Sequence, residues 1–110
     1  MMTTKTNLII DQGASFAVEL ALTNVNGDPI LLEGYQANSQ IRKWYTSINA
    51  AATFATSINT ESGSIVLSLS ANQTSNLISG RYVYDVEINA NNIYTRIVEG
   101  IITVTPEVTR

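Results

Sequence analysis

Hydrophobic and polar positions alternate along most of this chain. In Ser15 to Thr23, Phe16, Val18, Leu20 and Leu22 fall on one side, while Ser15, Glu19, Thr23 and two alanines fall on the other. A period of two marks a half-buried strand. Asn26-Gly27-Asp28-Pro29 ends it, because Asn-Gly tolerates positive φ and proline cannot donate to a ladder. A short return strand is predicted over Pro29 to Leu32. Gly34 then turns the chain into another strand with Ala37, Ser39 and Ile41 alternating inward and Gln40 and Arg42 outward. Thr46 to Ala52 is small and weakly patterned, and leaves a loop or one helical turn open. Thr53 to Asn59 alternates loosely, Glu61-Ser62-Gly63 turns a hairpin, and Ser64 to Leu69 places Ile65, Leu67 and Leu69 inward.

The period then changes. Ser70 followed by Gln73 matches a capping box, which predicts a short helix from Ala71 to Leu77, with Leu77 toward the core and Gly80 as its stop. Such a helix suits a crossover at the end of a two-layer stack. Tyr82 to Ile88 and Ile93 to Thr105 resume the period of two across the polar turn Asn89 to Asn92. Seven to eight short antiparallel strands with one crossover helix near residues 71–77 predict an all-β immunoglobulin-like sandwich, one domain over residues 1–110. Its expected core is Phe16, Val18, Leu20, Leu22, Ile65, Leu67, Leu69, Tyr82, Tyr84, Val86, Ile102 and Val104.

Composition narrows the chemistry more than the fold. The 110 residues include neither cysteine nor histidine. Disulfides, thiolate catalysis and sulfur-based zinc sites are thereby excluded, and so are designs that use the commonest general base near neutral pH. The net charge is -3 and the six basic residues are scattered, so a phosphate backbone has no electrostatic footprint here. No apolar run approaches the roughly 20 residues of a membrane span. A soluble chain without an export signal is expected, with no nucleic acid or membrane as partner.

Several pieces in order resemble a family of small immunoglobulin-like domains of tailed bacteriophages, found among tail, baseplate and fibre-associated virion proteins. They are Asp11-Gln12-Gly13 with Phe16; Asn26-Gly27-Asp28-Pro29; Leu32 with Gly34-Tyr35 and Ala37, running to Ile41-Arg42. The second half adds Leu69 to Ala71, Thr74, Leu77, Gly80 to Asp85, and Glu99-Gly100 with the terminal ITVTPEVTR. The segment from Lys43 to Asn59 departs from the pattern, being rich in aromatic and small residues. The resemblance implies a non-enzymatic structural protein of the virion, made in the host cytoplasm; the residues themselves point to no cofactor and no metal. The resemblance also implies other virion proteins as partners, in many copies per particle.

Few side chains stand out against ordinary packing. Asp85 and Glu87 share one strand face, but two carboxylates on an extended strand are too few for calcium, and a solvated face is the expectation. Trp44 and Tyr45, with Tyr35, could form an aromatic platform for a sugar, since aromatic faces join apolar area to a polar handle, and Trp44, Tyr45 and Tyr94 are the candidate glycan-binding residues. Packing instead would put Tyr35 in the core and Trp44 and Tyr45 on opposite faces of a strand end. Alternation also forces Val66, Val83, Ile97 and Ile101 outward, where four aliphatics mark a candidate protein-docking face. The alternative is a bulge at Gly100 that buries Ile97 instead of Val98.

Overall fold

A computed structural model describes residues 4–23 and 26–108 of the chain, so Thr109 and Arg110 of the terminal segment lie outside the described residues. Among the described residues nine strands and one helix follow in the order β1 (Thr4–Lys5), β2 (Leu8–Asp11), β3 (Phe16–Ala21), β4 (Gln36–Arg42), β5 (Ala52–Thr53), β6 (Ala55–Asn59), β7 (Ser64–Leu69), α1 (Ala71–Ser75), β8 (Gly80–Ala90) and β9 (Ile93–Thr105). One sheet has the order β1-β9-β8-β4-β5, with β2 also paired to β9; the other has the order β3-β7-β6. The two sheets enclose one core, and the architecture is an all-β sandwich of immunoglobulin-like order.

The β8–β9 hairpin is the backbone of the larger sheet. Its turn is tighter than expected: Ala90 pairs Ile93, leaving Asn91 and Asn92 at φ +52 and +66 as the two central residues. Asparagine accepts that left-handed conformation, which matches the twist of the flanking strands. Along β9 the register slips once. Val86 faces Val98 but Glu87 faces Arg96, so Ile97 is an extra residue and both Ile97 and Val98 are buried, each 2% exposed. The bulge sits three residues before Gly100, and it removes Ile97 from the outer face on which strict alternation had placed it.

β1 and β2 lie along the other side of β9. Both run parallel to it, pairing Thr4 with Val98 and Leu8 with Ile102, and the chain kinks at Thr6 and Asn7 between them. Three bonds hold the kink. The Thr6 N–H donates to the Glu99 carbonyl (2.9 Å), the Tyr84 hydroxyl donates to the Thr6 carbonyl (2.6 Å), and the Ile101 N–H donates to Asn7 Oδ1 (3.0 Å).

The middle of the chain differs from expectation in two places. Pro29 to Leu32 makes no strand, only an isolated bridge between Thr23 and Pro29, because proline offers no N–H; Leu32 nevertheless reaches the core from the loop. Thr53 to Asn59 changes sheets. β5 pairs β4, β6 pairs β7, and between them Phe54 donates its N–H to Ser39 O (3.0 Å) and packs its ring against Phe16 and Tyr84. Of the two alternatives left open for the segment before β5, residues 46–51 take the loop.

The helix carries its capping box as expected. Gln73 N–H donates to Ser70 Oγ (3.2 Å) and Ser70 N–H donates to Gln73 Oε1 (2.9 Å). It ends early, at Ser75 with Asn76 as C-cap, so Gly80 is not its stop; Gly80 instead enters β8 at φ +140. Leu77 packs in the core just beyond the helix end. Inside the helix Thr74 is fully buried; its Oγ accepts from Gly13 N–H (3.0 Å) and reaches Ala14 O (2.9 Å), which pins the turn before β3 to the crossover. Tyr82 completes this end by donating its hydroxyl to Ile78 O (2.6 Å), the tyrosine corner of immunoglobulin-like folds.

Nine of the twelve expected core residues are buried. Phe16, Val18 and Leu20 are only half-buried, because β3 is an edge strand with β7 on one side and no ladder partner on the other among the described residues. Leu8, Ile10, Leu32, Ile41, Phe54, Leu77, Ile88, Ile97 and Val98 complete the core.

Candidate functional site

The outer face of the larger sheet holds most of the chemistry-bearing side chains. Cross-strand pairing sets them in rows: Gln40, Asp85 and Glu99 in one; Asn38, Glu87 and Arg96 in the next; Arg42, Val83 and Ile101 in a third. A shallow groove of about 270 Å³ runs between these rows and is lined by Gln40, Arg42, Tyr45, Val83, Asp85, Glu87 and Arg96.

Its two cations are held in place. Arg42 donates to the carbonyls of Ser47 and Ile48 (both 2.9 Å) and to Gln40 Oε1 (2.7 Å), which anchors the loop after β4. Arg96 pairs with Asp85 and Glu99, each at 3.3 Å. These pairs are exposed, so they fix geometry more than they add stability. Asp85 is thus part of an ion-pair network and Glu87 stands half-buried beside it in the groove. Among the described residues no three acidic side chains converge as a metal cage would require.

The aromatic residues are dispersed. Trp44 and Tyr45 lie beyond the end of β4 in a turn, not on a strand, and both are exposed, at 65% and 72%. The turn is closed by Ser47, whose Oγ accepts from Trp44 N–H (3.0 Å) and whose own N–H donates to Trp44 O (3.1 Å). Neither residue is buried, contrary to the packing expected for a strand end, because the strand stops at Arg42. Tyr35 is likewise at the surface and not in the core. Of the glycan candidates only Tyr45 lines the groove; Trp44 stacks near Lys43 Nζ (5.8 Å), and Tyr94 stands across from Asn89 near the hairpin tip.

The docking set is also divided. Val83 and Ile101 are direct cross-strand neighbours on the outer face, but Ile97 is in the core and Val66 faces outward from the other sheet, between Glu19 and Ser57. The residue missing from that set is Ile9. It is 68% exposed and lies beside Ile101 (41% exposed) in a second depression with Asn7, Arg81 and Thr103. The run Leu8-Ile9-Ile10 carried the signal, since three consecutive aliphatics on one strand cannot all point inward.

Two hydroxyls have perturbed acidity. Burial pushes Tyr84 up to about 12, and burial also raises Tyr82, against the opposing effect of its bond to Ile78. Both tyrosines hold backbone carbonyls, and their shifts come from the burial of the hydroxyls.

No known protein family and no curated protein matches the chain. Its fold does match solved structures: 444 chains align, so the architecture is widespread and does not single out a function. Among them InlP of Listeria monocytogenes superposes with a TM-score of 0.51 and 16% identity over 94% of this chain, which spans 28% of the InlP chain. A likeness at that identity shows the sandwich fold alone.

Proposed function

We propose that this chain is a non-enzymatic structural protein of a tailed-bacteriophage virion, a tail or baseplate component that docks other virion proteins through the outer face of its larger sheet. The observation that carries this reading is the contiguous aliphatic set Ile9, Ile101 and Val83 on that face, flanked by Arg81 and Arg42. A central apolar patch with a charged rim is the composition of a protein-protein contact. The family resemblance of the sequence supplies the virion context, and closed assemblies of that kind repeat a component in many copies. A decoration protein of the capsid would use the same face.

Mass spectrometry of purified particles tests the reading directly: stoichiometric copies of the chain are expected. The paired change Ile9→Lys with Ile101→Lys should block incorporation while the isolated domain melts as the parent does. Particles that assemble normally with the doubly changed protein would refute the docking face.

A second reading, a carbohydrate-binding module for host-surface recognition, is favoured by one feature. Tyr45 stands over a groove furnished with Gln40, Arg42, Asp85 and Glu87, a set suited to sugar hydroxyls. Binding on a glycan array that is lost with Tyr45→Ala supports it; an array without signal rejects it.

A further inference from the structure

The smaller sheet offers an edge whose features differ from those that keep strands apart. β3 pairs only with β7 among the described residues, and its other side is open. Leu22 N–H donates to Gly63 O (2.9 Å), toward β7. Amides two apart on a strand point the same way, so Leu20, Val18 and Phe16 also face β7, and the N–H and C=O groups of Ala17, Glu19 and Ala21 face outward from the open edge. Proteins usually guard such an edge with proline, a lysine, a bulge or an inward charge. β3, with sequence FAVELA, has none of these. Its single charge, Glu19, is drawn back over the sheet by Ser64, whose hydroxyl donates to Glu19 Oε2 (2.8 Å). The apolar side of the same strand is unfinished as well: Phe16, Val18 and Leu20 are half-exposed, and a seam of about 290 Å³ opens beside Leu20 and Leu22 toward Ile97 and Val98.

We infer that two copies of this chain associate through the free edge of β3, antiparallel about Val18, joining their three-stranded sheets into one continuous sheet. The occupant is a second copy because β3 is complementary to itself in that register. Phe16 faces Leu20 of the other copy, Ala17 faces Glu19, and Val18 faces itself, so the apolar side chains continue across the seam. Charge selects this register over its neighbour. A shift that centres the pair on Glu19 sets two carboxylates directly opposite each other, which is destabilising, whereas the Val18 register sets each against an alanine. It also lets Ser15 pair with Ala21, extending the ladder at both ends. This association uses the sheet opposite the docking face proposed above and does not depend on it.

Sedimentation velocity over a dilution series tests the inference, together with amide exchange followed at low and high protein concentration. A concentration-dependent dimer is expected, with Ala17, Glu19 and Ala21 amides slowing as it forms. Ala17→Pro removes an N–H that faces the edge and not β7, so the domain should stay folded while the association constant falls about tenfold or more. A monomer at every concentration overturns the inference, and so does a dimer whose protected amides lie elsewhere, on β9 or β6. If Ala17→Pro fails to fold, the exchange pattern of the unaltered chain still decides.

Discussion

Gly100→Ala should destabilise the fold although the position lies in ordinary strand backbone. The cause is space. A Cβ built there would sit inside the contact distance of the Thr6 carbonyl oxygen, 2.7 Å from the Thr6 carbonyl carbon and 3.1 Å from Tyr84 Cε1. Backbone on one side and a buried ring on the other leave no flexible chain end to give way, so the β1–β2 kink must move off β9. Overpacking of this sort costs about 1–3 kcal/mol. The shift also stretches the 2.6 Å bond from Tyr84 to Thr6 O, worth about 0.5–1.5 kcal/mol. Against these, the lower entropy of alanine in the unfolded chain returns about 0.4–1 kcal/mol. The net is about 2 kcal/mol, or a fall of about 8 °C in Tm at about 4 °C per kcal/mol. Thermal and urea unfolding of Gly100→Ala, Tyr84→Phe and the double variant measure it. The double variant should lose less than the sum, because alanine has already weakened the bond that phenylalanine deletes. A Gly100→Ala protein that melts with the parent, or losses that simply add, would show that the kink is not pressed onto β9 in this way.

Four further outcomes follow from the same structure. Leu67→Ala should cost about 2–5 kcal/mol by urea unfolding, and Leu20→Ala clearly less, because Leu67 is fully enclosed while Leu20 lies half-open on the edge strand. Thr74→Val keeps the shape but leaves the Gly13 N–H without its acceptor, and should cost about 1–3 kcal/mol in the same assay. Ser70→Ala, which removes half of the capping box, should cost about 0.5–2 kcal/mol and leave the β-sheet circular dichroism unchanged. Because the Tyr84 hydroxyl is raised from 10.0 to about 12 in the folded state, its contribution is complete below pH 10 and is lost as pH rises toward 12; alkaline unfolding should soften in that window, and less so in Tyr84→Phe.

Much of the fold was legible because its elements obey local rules. The capping box, the period of two in β7 and β8, and the Asn-rich turn each sit within a few residues and need no distant partner. The illegible features depend on distant contacts. A bulge that buries Ile97 was legible as the alternative drawn from Gly100, but its place opposite Val86 and Glu87, which keeps Val98 in the core as well, is set by pairing with β8 and not by the run Arg96-Ile97-Val98-Glu99. Phe54 looks like one loose position in a weak segment, yet it is where the chain changes sheets. Trp44 and Tyr45 stay at the surface because β4 stops at Arg42, whose bonds to the carbonyls of Ser47 and Ile48 turn the chain away. The candidate face was partly legible: Val83 and Ile101 follow from alternation, whereas Ile9 required knowing that β2 lies beside β9.

The parallel pairing of β1 and β2 with β9 determines how the domain would bear load. The described chain enters at one end of these strands and leaves at the other, so tension applied through Thr4 and Thr105 pulls neighbouring strands past each other along their length. Leu8, Ile9, Ile10 and Asp11 are paired to consecutive residues of β9, and Gln12 N–H adds a bond to Thr105 O (3.0 Å). Under shear these bonds are loaded together and must fail together, whereas the β8–β9 hairpin pulled from its open end would unzip, each pair breaking in turn. β9, 13 residues long and paired to β1, β2 and β8, is the strand against which that shear is borne. Rupture under such a load would follow the rate of escape over a single barrier and not the equilibrium stability.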